Sequence, residues 1–315
     1  MELTSARSTY YGDIAVCLGH WADRTPVHEA ASLGRALQLQ QLIAAGASVN
    51  IVSVDNFTPL HDACIQAHPN CVKILLEAGA QVDVRTIHGS TPLCHACAAG
   101  SIESVKLLVD HGASVNPSLT ALTASPLHEA CIRGETCKVC INTVFILYLF
   151  SSRVHLCAGN PDCVKLMIAK GALLEAFDIY FGTPLHAACA KAHFDCALLL
   201  LNAGAKVNAT KFHETALHHA ARAEREDLVE LLVEFGGDVN ISDNLDHIPR
   251  DYTKPDSPTN LCLLQYGSNP LSLQQLCRII IRTMVGTRAM ELIPKLDISQ
   301  RIIDYLMFKS LISSE

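Results

Sequence analysis

Four residues recur along this chain at nearly constant spacing. Thr25-Pro26-Val27-His28, Thr58-Pro59-Leu60-His61, Thr91-Pro92-Leu93-Cys94, Ser125-Pro126-Leu127-His128, Thr183-Pro184-Leu185-His186 and Thr215-Ala216-Leu217-His218 begin 33, 33, 34, 58 and 32 residues apart. A period of this size dictates an array of small stacked units, because one such unit is too short to bury its own apolar face. Each unit has the same plan. In Thr58 to Asp83, Thr58 is an N-cap and Pro59 takes the first helical position, where its missing N–H is not needed. Leu60, Ala63 and Cys64 form a short apolar face. A second helix places Val72, Leu75 and Leu76 on one side, and Gly79 ends it.

The cysteines follow the same period. Cys64, Cys97, Cys131 and Cys189 lie six residues after the start of their tetrapeptides, and Cys71 and Cys196 lie thirteen after. Cys163 joins the second set once 25 surplus residues are subtracted. Periodic placement marks small buried hydrophobes in a reducing compartment rather than disulfides. The 315 residues are half apolar and 17% charged, a globular composition. A net charge of −7 argues against a nucleic-acid binder working through phosphate contacts. The strongest apolar run, Val144 to Phe150, is far short of the ~20 residues a spanning helix needs. With no signal-like N-terminus, the reading is an intracellular protein, cytoplasmic and also compatible with the nucleus, with no membrane partner and no cofactor.

The Thr-Pro-Leu-His-x-Ala motif, the Gly-Ala-x-Val-Asn/Asp ending and the 33-residue period resemble ankyrin repeats. Six copies run from about 21 to 243. At Ile248-Pro249 a seventh begins, but Arg250 and Asp251 make it a degenerate polar cap, and Asp251 to Pro270 reads as cap and linker. The repeated histidines are expected to hydrogen-bond backbone between neighbouring repeats, with no ligand or catalytic role. Cys94 stands where repeat three should have its histidine, which predicts a weaker bond there.

The long interval contains 25 extra residues, Glu135 to Gly159, between the two helices of repeat four. Cys137, Cys140, His155 and Cys157 could form a zinc site. The apolar run between them is unlike a small zinc loop. The segment is therefore read as a poorly packed insertion, from an alternative exon or a gene-model error, with no metal.

After the array comes a different module. Ser272 and Gln275 form a capping box, and Leu273, Leu276, Cys277, Ile280, Ile281 and Met284 fall on one helical stripe. Arg278, Arg282 and Arg288 lie off it. Such a stripe packs either on the chain's own last elements or in a partner's groove. Ser272-Leu273-x-x-x-Cys277-x-x-x-Ile281 resembles the elongin-binding half of a SOCS box. That resemblance implies elongin contacts at Leu273, Leu276, Cys277, Ile280 and Ile281. Leu296 to Leu306 resembles the cullin-5-selecting half, implying contacts at Leu296, Ile298, Ile302, Tyr305 and Leu306. Both prolines of that half are replaced, by Asp297 and Ser299.

Together these motifs resemble the ankyrin-repeat and SOCS-box family. The implied fold is an all-α ankyrin-repeat solenoid of six repeats plus a degenerate cap, followed by a small helical SOCS box. The boundaries read as a leader at 1–20, repeats at 21–269, the box at 270–307 and a tail at 308–315. The implied function is that of a non-catalytic substrate receptor of a ubiquitin ligase, with elongin B, elongin C, cullin-5 and its RING partner on the box and an unknown target on the array. Exposed hairpin tips would bear target contacts at Phe57, His88, Tyr180, Phe181, Phe212 and His213, unless these rings pack on the next repeat. A scaffold or inhibitor lacking cullin recruitment, and an ankyrin adaptor whose last helices only cap the fold, are the alternatives.

Overall fold

A computed structural model describes residues 24–118, 124–132, 159–269 and 271–308. The chain falls into two compact units, one running to Leu173 and including Asp178–Tyr180, the other comprising Leu174–Phe177 and everything from Phe181 onward. The regular elements of the described residues are helices, and an isolated antiparallel bridge pairs Lys211 with Glu214. None of their helices is long and apolar enough to cross a membrane.

Among its described residues the N-terminal unit holds four helix pairs: α1 (Pro26–Ser32) and α2 (Ala36–Ala44), α3 (Pro59–Ile65) and α4 (Pro69–Glu77), α5 (Pro92–Ala99) and α6 (Ile102–Asp110), α7 (Pro126–Ile132) and α8 (Pro161–Ala169). First helices stack on first helices and second on second. The motif explains the stacking. Thr58 Oγ1 accepts from the His61 N–H, and His61 Nδ1 accepts from the Thr58 N–H at 3.1 Å, closing the first turn. The far side of the ring, Nε2, reaches the Ser90 carbonyl of the next repeat at 3.4 Å. His28 does the same to the Phe57 carbonyl at 3.1 Å. His61 thus caps its own helix, and both His28 and His61 bridge to the next unit, the bridge being what the sequence suggested. Cys94 keeps the geometry with a weaker donor, its Sγ lying 3.8 Å from the Ala124 carbonyl.

A second ladder went unnoticed in the sequence. Asn50 donates to the Gly79 carbonyl at 3.2 Å and accepts from the Gln81 N–H at 2.8 Å. Asn116 repeats this with Gly171 and Leu173, both at 2.9 Å. Gly79 is left-handed at φ +84, which turns its carbonyl off the helix end toward that amide.

The insertion does not disturb the pair that contains it. In repeat two the His68 N–H meets the Ala63 carbonyl at 2.9 Å, closing the turn between the helices. In repeat four the Asn160 N–H meets the Ala130 carbonyl at 3.1 Å, an interval longer by the same 25 residues. Asn160 also caps α8 through the Cys163 N–H and donates to the Gly100 carbonyl at 3.0 Å. The insertion's cysteines and His155 lie outside the described residues.

The C-terminal unit continues with α9 (Pro184–Ala190) and α10 (Phe194–Asn202), then α11 (Ala216–Arg222) and α12 (Glu226–Glu234). The seventh repeat corrects the sequence reading. Its first helix shrinks to a 3-10 turn, Pro249–Tyr252, in which Asp251 takes the histidine's place and accepts the Ile248 N–H at 2.9 Å. What read as linker forms a full second helix, α13 (Pro258–Ser268), which packs on α12 with Thr259, Cys262 and Leu263 buried. Ser257 caps it, and Pro258 sits at its first position, the same start signal as in the other repeats.

Every described cysteine is a free thiol, and all but Cys277 are buried. Burial pushes the Cys189 thiol up to about 12 and raises Cys64, Cys97 and Cys163 likewise, so the buried thiols are inert fillers.

Candidate functional site

The last module contains α14 (Leu273–Val285), α15 (Ala289–Leu292) and α16 (Gln300–Leu306), joined by short 3-10 turns. The capping box forms: Gln275 Oε1 accepts the Ser272 N–H at 2.9 Å, and the Gln275 N–H donates back to Ser272 Oγ. Its small core is Ala289, Ile293, Ile303, Leu306 and Met307, with Ile281 and Val285 packed on it.

The remainder of the apolar stripe faces outward. Leu273 is 77% exposed and Met284 83%, while Leu276, Cys277 and Ile280 are also exposed. Of the residues expected to meet elongin, only Ile281 turns inward, toward the module's own core. The second set divides. Leu296, Ile298 and Ile302 are exposed, whereas Leu306 is 2% exposed in the core and Tyr305 lies half-buried under the Arg278 guanidinium. Tyr305 and Leu306 therefore hold the module together rather than offer a surface. Their α16 is too short to do otherwise, since one of its two faces must cover the core.

The buried side of α14 is its cationic side, which the sequence pattern left off the stripe. Arg278 is 3% exposed and Arg282 8%. Arg278 pairs with Glu234 at the end of α12 and stacks on the Tyr305 and Phe308 rings, 4.3 and 4.1 Å from their centroids. Arg282 donates to the Leu306 carbonyl at 2.8 Å and to Asn202 Oδ1 of α10 at 3.0 Å, and stacks on Phe235. Gln275 adds a bond to Glu234 at 2.6 Å. Burial lowers the Arg282 guanidinium to about 10, with the Arg278 charge adding to the shift, so Arg282 remains a cation at neutral pH; burial lowers Arg278 as well. Phe308 was read as the first residue of a tail, yet it is fully buried and stacked on Phe235 at 4.0 Å.

Asn202, Glu234, Phe235 and Phe308 escaped the sequence reading. One signal was available: Phe235 occupies the position held by Ala45, Ala78, His111, Lys170 and Ala203 in other repeats. A large apolar ring where the other repeats carry alanine or a polar residue marks a contact outside the array.

The hairpin-tip residues scatter. Phe57, His88 and Tyr180 belong to the N-terminal unit, and Phe181, Phe212 and His213 to the C-terminal one. Phe57 is 7% exposed, stacked on His95 at 5.8 Å and edge-on to His61, so it is a packing residue and not a contact surface. His88, Tyr180 and Phe181 are half-buried. Phe212 and His213 are exposed on backbone at φ +49 and +67, a conformation non-glycine residues rarely adopt. One trio of described residues, Glu226, Glu230 and Cys262, brings possible ligand atoms within 4.8 Å of one another, but two are exposed carboxylates of a kind common without an ion.

Comparison with known proteins agrees with this architecture. The family model described as ankyrin repeats (3 copies) matches residues 11–86, 82–146 and 154–243, and that of the SOCS box matches 269–307. The chain is 52% identical to Ankyrin repeat and SOCS box protein 13 of Homo sapiens, over 98% of this chain and 100% of the relative. It is 46% identical to Ankyrin repeat and SOCS box protein 5 of Mus musculus, over 98% of this chain and 85% of that protein. Among solved structures, the ankyrin repeat domain of human ASB11 superposes with a TM-score of 0.67 at 33% identity, covering 79% of this chain and 100% of that one. The chain belongs to the ankyrin-repeat and SOCS-box family.

Proposed function

We propose that this chain is the substrate-recognition subunit of a cullin-5/elongin BC ubiquitin ligase. The observation that carries the reading is the outward face of α14. Leu273, Leu276, Cys277 and Ile280 stand exposed together on a helix held from behind by two buried arginines. An isolated module gains nothing by exposing four such groups, and a partner groove would take them as anchors at helical spacing. Leu296, Ile298 and Ile302 supply the exposed apolar groups of a second contact, for the cullin. Asp297 and Ser299 leave that segment without the usual prolines, which raises the entropy to be lost on ordering it. The receptor itself needs no chemistry. It raises the effective concentration of the target beside the loaded conjugating enzyme.

Co-expression with elongin B and elongin C tests this. The wild type should purify as a ternary complex. Leu273→Asp with Cys277→Phe should abolish the complex and leave the melting temperature of the free chain unchanged, because both side chains are solvent-exposed. Retention of elongin by that variant would sink the assignment. Presence of cullin-5 in the same purification separates a ligase from a scaffold that binds without recruiting the cullin.

A further inference from the structure

We propose that Arg278 and Arg282 are positioning residues that link partner docking on the outside of α14 to the order of the last two full-length repeats, α9 to α12. The link rests on the elongin-docking reading above for the identity of the partner, but its structural half stands apart from it. The two faces of α14 serve different contacts. The outer face carries the exposed stripe. The inner face meets the array mainly through long polar side chains: Gln275, Arg278 and Arg282 on one side, Asn202, Glu234 and Phe235 on the other. Ile279 adds one close apolar contact, its Cγ2 filling the space where a side chain at Gly236 would begin.

Each guanidinium joins three pieces at once. Arg282 holds α14 to the end of α16 through the Leu306 carbonyl, and both to α10 through Asn202. Arg278 holds α14 to Tyr305 and Phe308, and both to Glu234 of α12. Planar guanidiniums suit this because they stack on rings and donate in a fixed fork at the same time, which an ammonium cannot. Releasing Arg278 leaves the part-buried Glu234 carboxylate with Gln275 alone, releasing Arg282 leaves the buried Asn202 side-chain oxygen without its donor, and either one uncovers the Phe235–Phe308 stack, so the contacts weaken together.

A helix seated in this way has its outer stripe already ordered, and a partner loses less entropy in binding it. Linkage then requires the converse: a partner holding α14 must reduce opening of the repeats on which α14 is seated. An array grips its target through its repeats, so the box becomes a support for the array's end as well as a recruiting handle.

The test uses the full chain, free and with recombinant elongin B–elongin C, read by amide hydrogen exchange. Asn202→Ala and Glu234→Gln are changed singly and together. Both lie in the array and neither touches the outer stripe, so a fold-wide collapse is not expected. Arg282→Lys keeps the charge but loses the fork and the stacking. In the free protein, each variant should speed exchange across 273–285 and 300–306 about tenfold. The double variant should weaken elongin affinity about tenfold. In the wild type, elongin should slow exchange at 194–202 and 226–234, and the double variant should lose that protection. Unchanged exchange in 273–285 in all three variants overturns the proposal, as does full rescue by lysine at 282. If the wild type binds no elongin, the functional reading fails while exchange in the free protein still decides the seating.

Discussion

Acid should loosen the C-terminal unit through its buried histidines. His186 is 1% exposed, and burial pushes its imidazole down to about 4, with the Lys211 charge helping and the Glu214 and Ala209 carbonyls opposing. His219, its ring 5.6 Å away and close to Glu214 and Arg222, is lowered for the same reason, with the His186 charge next. A base with a depressed native pKa binds fewer protons when folded, so its contribution is intact above about 6.5 and falls as pH drops toward 4. Each pH unit is worth 1.36 kcal/mol, so His186 alone removes about 2 kcal/mol between pH 6.5 and 5.0. The second repeat is different. His61 is likewise lowered to about 4, but the neighbouring Asp62 carboxyl is pushed up to about 7 by burial, against the pull of Arg24. A raised carboxyl gains stability as pH falls from 7, so the two nearly cancel. The assay is urea denaturation followed by helical circular dichroism at pH 7.5, 6.0 and 5.0, on the wild type, His186→Gln and His61→Gln. His186→Gln should be the less stable protein at pH 7.5, and its deficit should shrink by about 2 kcal/mol at pH 5.0. A deficit that stays constant or grows on acidification refutes the argument.

Other consequences follow from single contacts. Deleting 135–159 should leave the melting temperature unchanged or higher and reduce aggregation on heating, because the Asn160–Ala130 bond already closes the turn without that segment; loss of cooperative unfolding would contradict this. Cys94→His should raise the urea midpoint, since an imidazole replaces a weak thiol contact to the Ala124 carbonyl, a gain of about 1 kcal/mol. Phe57→Ala should cost ~3–5 kcal/mol as a buried ring is lost, whereas Phe212→Ala, at a 63% exposed position, should alter the midpoint little. Calorimetry or denaturant titration distinguishes the two.

The repeats were legible because their motif is a local device with a long-range end. Thr58, Pro59 and His61 specify a helix start by hydrogen bonds within four residues, and the unused imidazole nitrogen then sets the distance to the next unit. Periodicity therefore found the fold, the buried thiols and the surplus in repeat four. It failed at the array's end, where Arg250 and Asp251 broke the pattern and α13 was read as linker. The start signal Ser257-Pro258 was there, but α13 exposes Leu261 and Leu264 while burying Cys262 and Leu263, so no clean apolar face announces it. A last repeat has a neighbour on one side only, and half of its period is free to drift.

The stripe on α14 was found, and the SOCS-box resemblance implied that it faces outward, but periodicity alone left its orientation open. Apolar periodicity says that a helix has two faces; it does not say which one the chain itself covers. The usual assumption, that the apolar side is inside, fails here because the array offers α14 no apolar floor. It offers Glu234, Asn202 and the lone ring of Phe235, which suit guanidiniums better than leucines. Two buried cations against one carboxylate would be costly without aromatic faces and carbonyls to take the second charge, and Phe308 and the Leu306 carbonyl do so. The arginine pair is thus the reason the stripe can face outward at all. Replacing Arg278 and Arg282 together by methionine would make both faces of α14 apolar, and the helix could then turn its stripe inward. That variant should lose elongin while remaining helical, with Leu273 and Ile280 newly protected from solvent-borne labelling; labelling equal to that of the wild type would show that the arginines do not set the orientation.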